Sequence, residues 1–380
     1  MKRNIYILSA SDRYNYGDLL FPIIARKELS KYGDYNFFNI GIVKSDLSEY
    51  GALPTYAYKK ILSAPNQEKA PVLLIAGGEV LNANWAKLNS FLYPSLQSLF
   101  KFLANIERAV NKIIPFSRNP IPFIPVDSRI RNKFHIVFHA VGGRKIGVKR
   151  QIPKIKQLFD QSLYISAREK ATFNSLQNNF NCKKALLTPD SAILMSDYYN
   201  IGPKGKEKFI AFQIGHYKTG NKLDVINKEL CKLHEKTKWP IKFIPIGNCP
   251  GHDDKISLQW LSRHAQYPCE MVEPENLTVI MQTIAHSELF IGTSLHGIIT
   301  AMSFGVPYLA LNPDIPKLKN YMNTWAPPQM KDITNFEEIE KNGSAVLLTD
   351  KKRLLENAID QKNKARESFS NISRLIQKSR

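Results

Sequence analysis

Cysteine is scarce in this chain. Cys182, Cys231, Cys249 and Cys269 are widely spaced and form no C-x-x-C pair, which argues against a zinc site or a disulfide framework and suits a reducing cytosol. No apolar run approaches the ~20 residues that a membrane-spanning helix needs. The opening MKRNIYILSASDRYNYGD has too short an apolar core for a signal peptide, so the expected location is cytoplasmic. Neither a Walker P-loop nor G-x-G-x-x-G occurs, which removes support for ATP and dinucleotide chemistry. Acids are also in short supply: 33 Asp and Glu stand against 53 Lys and Arg, a net charge of +20. That excess favours anionic partners such as phosphorylated small molecules, acidic glycans or an anionic membrane face. Aromatics do not interleave with the basic residues as in an RNA- or DNA-binding module, so nucleic acid is not expected.

What is present is an ordinary globular composition, 43% apolar, over 380 residues, enough for two cores. Strand candidates NIYILSAS, YNFFNIGIV, APVLLIAGGEVLN, KFHIVFHAVGGRK, LYISAREK and ALLTPDSAIL alternate with helical segments through the first half. FIAFQIGHY and IKFIPIGNCPGHDD open a second run. Such alternation predicts parallel sheets covered on both faces. The fifth strand is expected to turn at Ser166 into a helix carrying Arg168 and Glu169. The expected organisation is an N-terminal α/β domain over 1–197, a linker over 198–208, a C-terminal α/β domain over 209–345 and a basic helix over 346–380. A helical, then Pro-rich insertion interrupts the first domain at about 84–133. In the last helix, Leu355, Ala358, Ala365, Phe369, Ile372 and Ile376 share one face. Packing across the domains is the expected role of that helix, and its Lys/Arg-rich opposite face makes contact with an anionic membrane the sharper alternative.

One stretch concentrates the chemistry. In AHSELFIGTSLHGIITAMSFGVPYLAL, residues 285–311, a short apolar strand meets Gly292-Thr293-Ser294, residues suited to a turn and a helix N-cap. Leu295, Ile298, Ile299 and Met302 then fall on one helical face. Gly305 and Pro307 end the helix, and another strand begins. This β-α-β unit puts His296 and the N–H groups of a helix start at the carboxyl edge of a sheet, where open α/β folds bind ligands and where anions are attracted. The same position also suits a hydrogen-bonded structural histidine near a cap.

The chain resembles the polysaccharide pyruvyl transferase family. NYGDLL looks like its Asn-x-Gly-Asp entry, IAGGEVL like its glycine-rich strand end, and YISAREKATFNSL with LLTPDSAIL like its Ser-x-Arg-Glu and Pro-Asp segments. The 285–311 stretch is similar to its Arg-Leu-His-Gly block, except that Ser294 stands where arginine is common, which removes a bidentate anion clamp. The resemblance implies a GT-B-like architecture of two Rossmann-like parallel-sheet domains facing a cleft, with the C-terminal helix packing across. It implies transfer of a pyruvyl group from phosphoenolpyruvate to glycan hydroxyls, free or lipid-linked, at the inner face of the membrane, with neither a cofactor nor a metal. His296 and Arg168 are then the expected catalytic pair. Thr293, Ser294, Leu295, Gly297, Arg144 and Lys145 are the expected donor-binding residues.

Asn15, Gly17, Asp18, Gly77, Gly78, Asp190, His216, His252, Asp253 and Asp254 are the candidates for the acceptor side or the cleft. Asn15 and Asp18 also suit a helix cap, the glycines a tight turn, and the loop acids a solvated surface. Two other functions share these features. A nucleotide-sugar glycosyltransferase would use the same helix N-terminus for phosphate. A decayed scaffold that binds anionic glycans would explain the basic charge and the missing arginine.

Overall fold

The computed structural model describes residues 2–65, 68–110, 121–143, 151–247 and 253–379. They form two compact units, the first made of Met1–Ser191 with Lys364–Arg380 and the second of Ala192–Asn363. The segment 198–208, expected as a linker, thus belongs to the second unit.

In the first unit the strands are β1 (Arg3–Leu8), β2 (Tyr35–Ile40), β3 (Val72–Ala76), β4 (His135–Val141), β5 (Tyr164–Ala167) and β6 (Leu186–Leu187). They lie in the order β2-β1-β3-β4-β5-β6, and every pairing is parallel. The reason is visible in the sequence: Val72-Leu73-Leu74-Ile75-Ala76 is apolar without alternation and buried throughout, as a strand covered on both faces must be. The chain leaves β1 toward β2 on one side and returns to β3 on the other, so the strand order reverses between β1 and β3. The expected strands are all found. The helix after β5 starts later than expected, at Lys170. Arg168 stays in the extended chain because its N–H continues the ladder to Val141 O at 3.1 Å.

The second unit holds β7 (Ile210–Gln213), β8 (Ile241–Phe243), β9 (Cys269–Met271), β10 (Leu289–Gly292) and β11 (Tyr308–Ala310), in the parallel order β11-β10-β7-β8-β9. Its reversal falls between β7 and β10, where Gln213 pairs in register with Gly292. The edge strand β9 was not expected, since Cys269-Glu270-Met271 is short and has a charged residue at its centre. The helix Leu295–Phe304 follows β10 as anticipated and ends at Gly305, whose φ of 66° lies in the left-handed region that glycine adopts most easily.

The 84–133 segment contains the helices Trp85–Asn89 and Gln97–Val110. Residues 111–120, the end of the expected helical run and the start of the Pro-rich stretch, lie outside the described residues. The C-terminal helix spans Lys351–Lys378, with Asp350 Oδ1 accepting the Lys352 N–H at 2.9 Å. Its inward residues are Leu354, Ala358, Ala365, Phe369, Ile372 and Ile376. Leu355, expected on that face, is 49% exposed, and its neighbour Leu354 is the inward one, one step along a 3.6-residue period.

Candidate functional site

In open α/β sheets ligands bind beyond the carboxyl ends of the strands, where the order reverses. In the second unit that position is built around Gln213, the last residue of β7. Its Oε1 accepts the N–H groups of Thr293 at 3.1 Å and Ser294 at 2.9 Å, and its Nε2 donates to Asp254 Oδ2 at 2.8 Å. Thr293 Oγ1 in turn accepts the Gly215 N–H at 3.0 Å. The turn that presents His296 is thereby tied to the loop after β7 and to the start of the helix Asp254–His264. Gly292 makes this possible, because a Cβ there would lie 2.9 Å from Gln213 Oε1.

Asp254 is 2% exposed, and its Oδ2 also accepts the N–H groups of Ile246 at 3.0 Å and Gly247 at 2.9 Å. Burial pushes its carboxyl up to about 7, against those hydrogen bonds, which favour the charged form, and with help from the neighbouring charge of Asp253. Asp253 occupies the N-cap position with a φ of 46° and makes no side-chain cap. His216 is half-buried and its Nδ1 lies 2.9 Å from Ser257 Oγ.

The first turn of the helix Leu295–Phe304 carries the half-buried His296. Ser294 caps this helix, its Oγ accepting the Gly297 N–H at 3.2 Å. In place of a cationic clamp, residue 294 therefore supplies order at the helix start. Gly297 has a packing reason: a Cβ would sit 2.4 Å from the Phe290 ring and 2.9 Å from Ile246 Cδ1. The N–H groups of Thr293, Ser294 and Gly297, expected to bind the donor, are engaged by Gln213 and Ser294. That of Leu295, in the first turn, has no acceptor within its own helix.

The first unit has a comparable edge between β1 and β3. Asn15 precedes the helix Tyr16–Leu29 in an extended conformation, but its side chain donates to Asp18 Oδ2 at 2.7 Å and makes no cap. Gly17 is buried in the first turn. Gly77 (φ 61°) and Gly78 (φ 75°) follow β3; a Cβ on Gly77 would strike the Phe21 ring at 2.5 Å, and one on Gly78 would lie 3.6 Å from Asp18 Oδ1. Gly142, after β4, leaves room for Arg168, whose Nε would be 2.8 Å from a Cβ there.

Arg168 is 3% exposed and is paired with Asp190 at 3.0 Å and Glu169 at 3.5 Å. Burial disfavours its charge, but Asp190, Glu169 and Glu79 outweigh it and hold the guanidinium above its ordinary value. Burial moves Glu169 up as well, although Arg168 pulls it down. Thr172 Oγ1 donates to Glu169 and accepts the Gly143 N–H at 3.0 Å. Asp190, expected on the acceptor side, is fully buried beneath this cluster. The guanidinium expected as an anion fork is thus committed to two carboxylates, and the role this geometry gives it is to hold the ends of β4, β5 and β6 together.

Arg144, Lys145 and His252 lie outside the described residues. Among the described residues no group of three or more His, Cys, Asp or Glu could hold a metal ion, and no helix is long and apolar enough to cross a membrane. Sequence reasoning missed Gln213 and Thr172. The available signal for Gln213 was a polar residue closing an otherwise apolar strand, IAFQ, just before a glycine.

The polysaccharide pyruvyl transferase family profile matches residues 15–315. No curated protein sequence matches the chain. Among solved structures, S. aureus MnaA with UDP is 14% identical, with a TM-score of 0.57 and coverage of 100% of this chain and 99% of that one. The Methanocaldococcus jannaschii UDP-GlcNAc 2-epimerase with UDP-GlcNAc and UDP is 13% identical, at TM-score 0.52, covering 92% and 94%. The Neisseria meningitidis UDP-GlcNAc 2-epimerase bound to UDP-GlcNAc is 13% identical, at TM-score 0.51, covering 100% of both chains. At these identities the likeness shows a shared GT-B-like fold and nothing of substrate. The profile spans both switch-point edges, from Asn15 through the His296 helix, and the chain therefore belongs to the polysaccharide pyruvyl transferase family.

Proposed function

We propose that the chain transfers the pyruvyl group of phosphoenolpyruvate to a pair of hydroxyls on one glycan, forming a cyclic ketal. The observation that carries this reading is His296 in the first turn of a helix at a strand-order reversal, inside a segment matched by the family. The donor holds a carboxylate and a phosphate on a three-carbon frame, and a helix start with a net charge of +20 behind it favours such a dianion.

One sugar hydroxyl attacks C2 of the enol as a proton reaches the C3 methylene, which becomes the methyl group. The second hydroxyl then displaces phosphate at C2, its proton leaving with the phosphate, so the products are the ketal and inorganic phosphate. An imidazole suits the proton delivery because it gives and takes protons near neutral pH. Gln213 fixes the turn on which that ring sits. The reaction draws on no redox cofactor.

The test is incubation with phosphoenolpyruvate and a panel of nitrophenyl and lipid-linked sugars, read by mass and by phosphate release. Phosphate release that depends on the acceptor, with a product heavier by one pyruvyl ketal, is the expected result. The solved fold relatives bind UDP or UDP-GlcNAc, so release of UDP from a nucleotide sugar, with phosphoenolpyruvate inert, would replace this reading with glycosyl transfer.

A further inference from the structure

The helix Gln97–Val110 carries an uncovered apolar stripe. Leu99, Phe102, Leu103 and Ile106 fall at i, i+3, i+4 and i+7, and Phe102 is 63% exposed. Leu96 and Tyr93 extend the strip at 46% and 44% exposure. In a soluble helix such a stripe normally faces the core. Here the half-buried Phe100 lies 5.8 Å from the Tyr93 ring, and the stripe is left in solvent.

Over residues 87–118 the sequence carries Lys87, Lys101, Arg108, Lys112 and Arg118 against one acid, Glu107. An exposed apolar stripe within a stretch of basic sequence is the pattern of a helix that lies in an anionic lipid interface. We infer that this helix docks on an anionic bilayer, with Leu99, Phe102, Leu103 and Ile106 at the acyl boundary.

A second copy of the chain fits the charge less well, because pairing would bring two bodies of +20 together. The C-terminal helix is also the poorer candidate, since its apolar face at Leu354, Ala358, Phe369 and Ile372 is already buried. A chain held at a membrane in this way would meet glycans built on lipid carriers. The inference does not depend on the donor, and its test reads binding only.

The full-length chain is sedimented with phosphatidylcholine vesicles and with mixed phosphatidylcholine–phosphatidylglycerol vesicles, in parallel with the double variant Leu99→Asp/Phe102→Asp. Wild type should pellet with the mixed vesicles, and the variant should lose at least about tenfold in partitioning while keeping its circular dichroism. Phe102→Trp gives a reading that does not rely on a disrupted helix: its emission, taken as the difference from wild type, should shift blue on the mixed vesicles. Three results would overturn the inference. They are wild type remaining in the supernatant at low salt, a double variant or Phe102→Trp reporter indifferent to vesicles that the wild type binds, and a wild-type dimer that the double variant dissolves.

Discussion

The Nε2 of Gln213 lies 2.8 Å from Asp254 Oδ2, while the other end of the same amide takes the N–H of Ser294 at 2.9 Å. One uncharged side chain thus spans the strand-order reversal of the second unit and sets the turn that leads into His296. The orientation of the amide follows from its partners, since the Thr293 and Ser294 N–H groups and the Thr293 hydroxyl donate to Oε1 while the Asp254 carboxylate accepts from Nε2.

Gln213→Leu keeps the volume and removes both connections. It leaves the Thr293 and Ser294 N–H groups without their acceptor, at a cost of about 1–3 kcal/mol for each buried group orphaned. Urea unfolding should show that loss, and pyruvyl transfer should fall further than stability alone explains. Gln213→Glu retains the acceptor but sets a second carboxyl against Asp254, so its deficit should grow as pH rises.

The raised Asp254 gives stability a defined pH slope. Its folded form prefers the neutral carboxyl, so the folded chain binds more protons than the unfolded one between the usual carboxylate range and about 7. The contribution is fully present at acid pH and is lost as pH rises through that window, with a slope of at most about 1.4 kcal/mol per pH unit. Asp254→Asn, which keeps an acceptor for Ile246 and Gly247, should flatten the slope. Unfolding free energies of both proteins across the window decide it, and parallel curves would mean that Asp254 titrates normally.

Asp190→Ala removes the closest partner of a buried guanidinium. Breaking such a pair typically costs about 3–5 kcal/mol, with Glu169 limiting the loss here. The double variant Arg168→Met/Asp190→Leu should recover much of that stability. Thermal unfolding of the three proteins measures the coupling.

Gly297→Ala should destabilise through packing rather than through any ligand. The new methyl would meet the Phe290 ring at 2.4 Å, and such overpacking typically costs about 1–3 kcal/mol. Phe290→Leu in the same chain should relieve it. A Gly297→Ala protein of full stability that fails only in donor binding would restore the ligand role to this glycine.

His296→Ala should fold normally, because the ring is half-buried and its backbone stays in the helix. Turnover should drop by roughly 10²–10⁴-fold, the usual worth of a positioned acid or base, with a smaller change in KM. Unchanged turnover removes it from the chemistry.

The strands were legible because fully buried parallel strands write themselves as unbroken apolar runs, as in Val72–Ala76. The unit around His296 was legible because its cap, period and glycine stop are all local signals. β9 escaped because three residues at a sheet edge, two half-buried around the exposed Glu270, are too few to establish a period. The start of the helix after β5 was misplaced because Arg168 obeys a ladder bond to Val141, a partner far away in sequence.

By itself, then, the sequence determined two parallel α/β units, the place of His296 at a helix start, and membership in a family whose motifs it spells out from Asn15 onward. Only the tertiary structure decided what the polar residues do. It drew Gln213 into the role of clamp, buried Arg168 between two acids and gave Gly297 to the Phe290 ring. Propensity and periodicity act over a few neighbouring residues, whereas hydrogen bonds and ion pairs depend on which strand ends lie side by side, and strand order places Gln213 beside Ser294 across a separation of 81 positions.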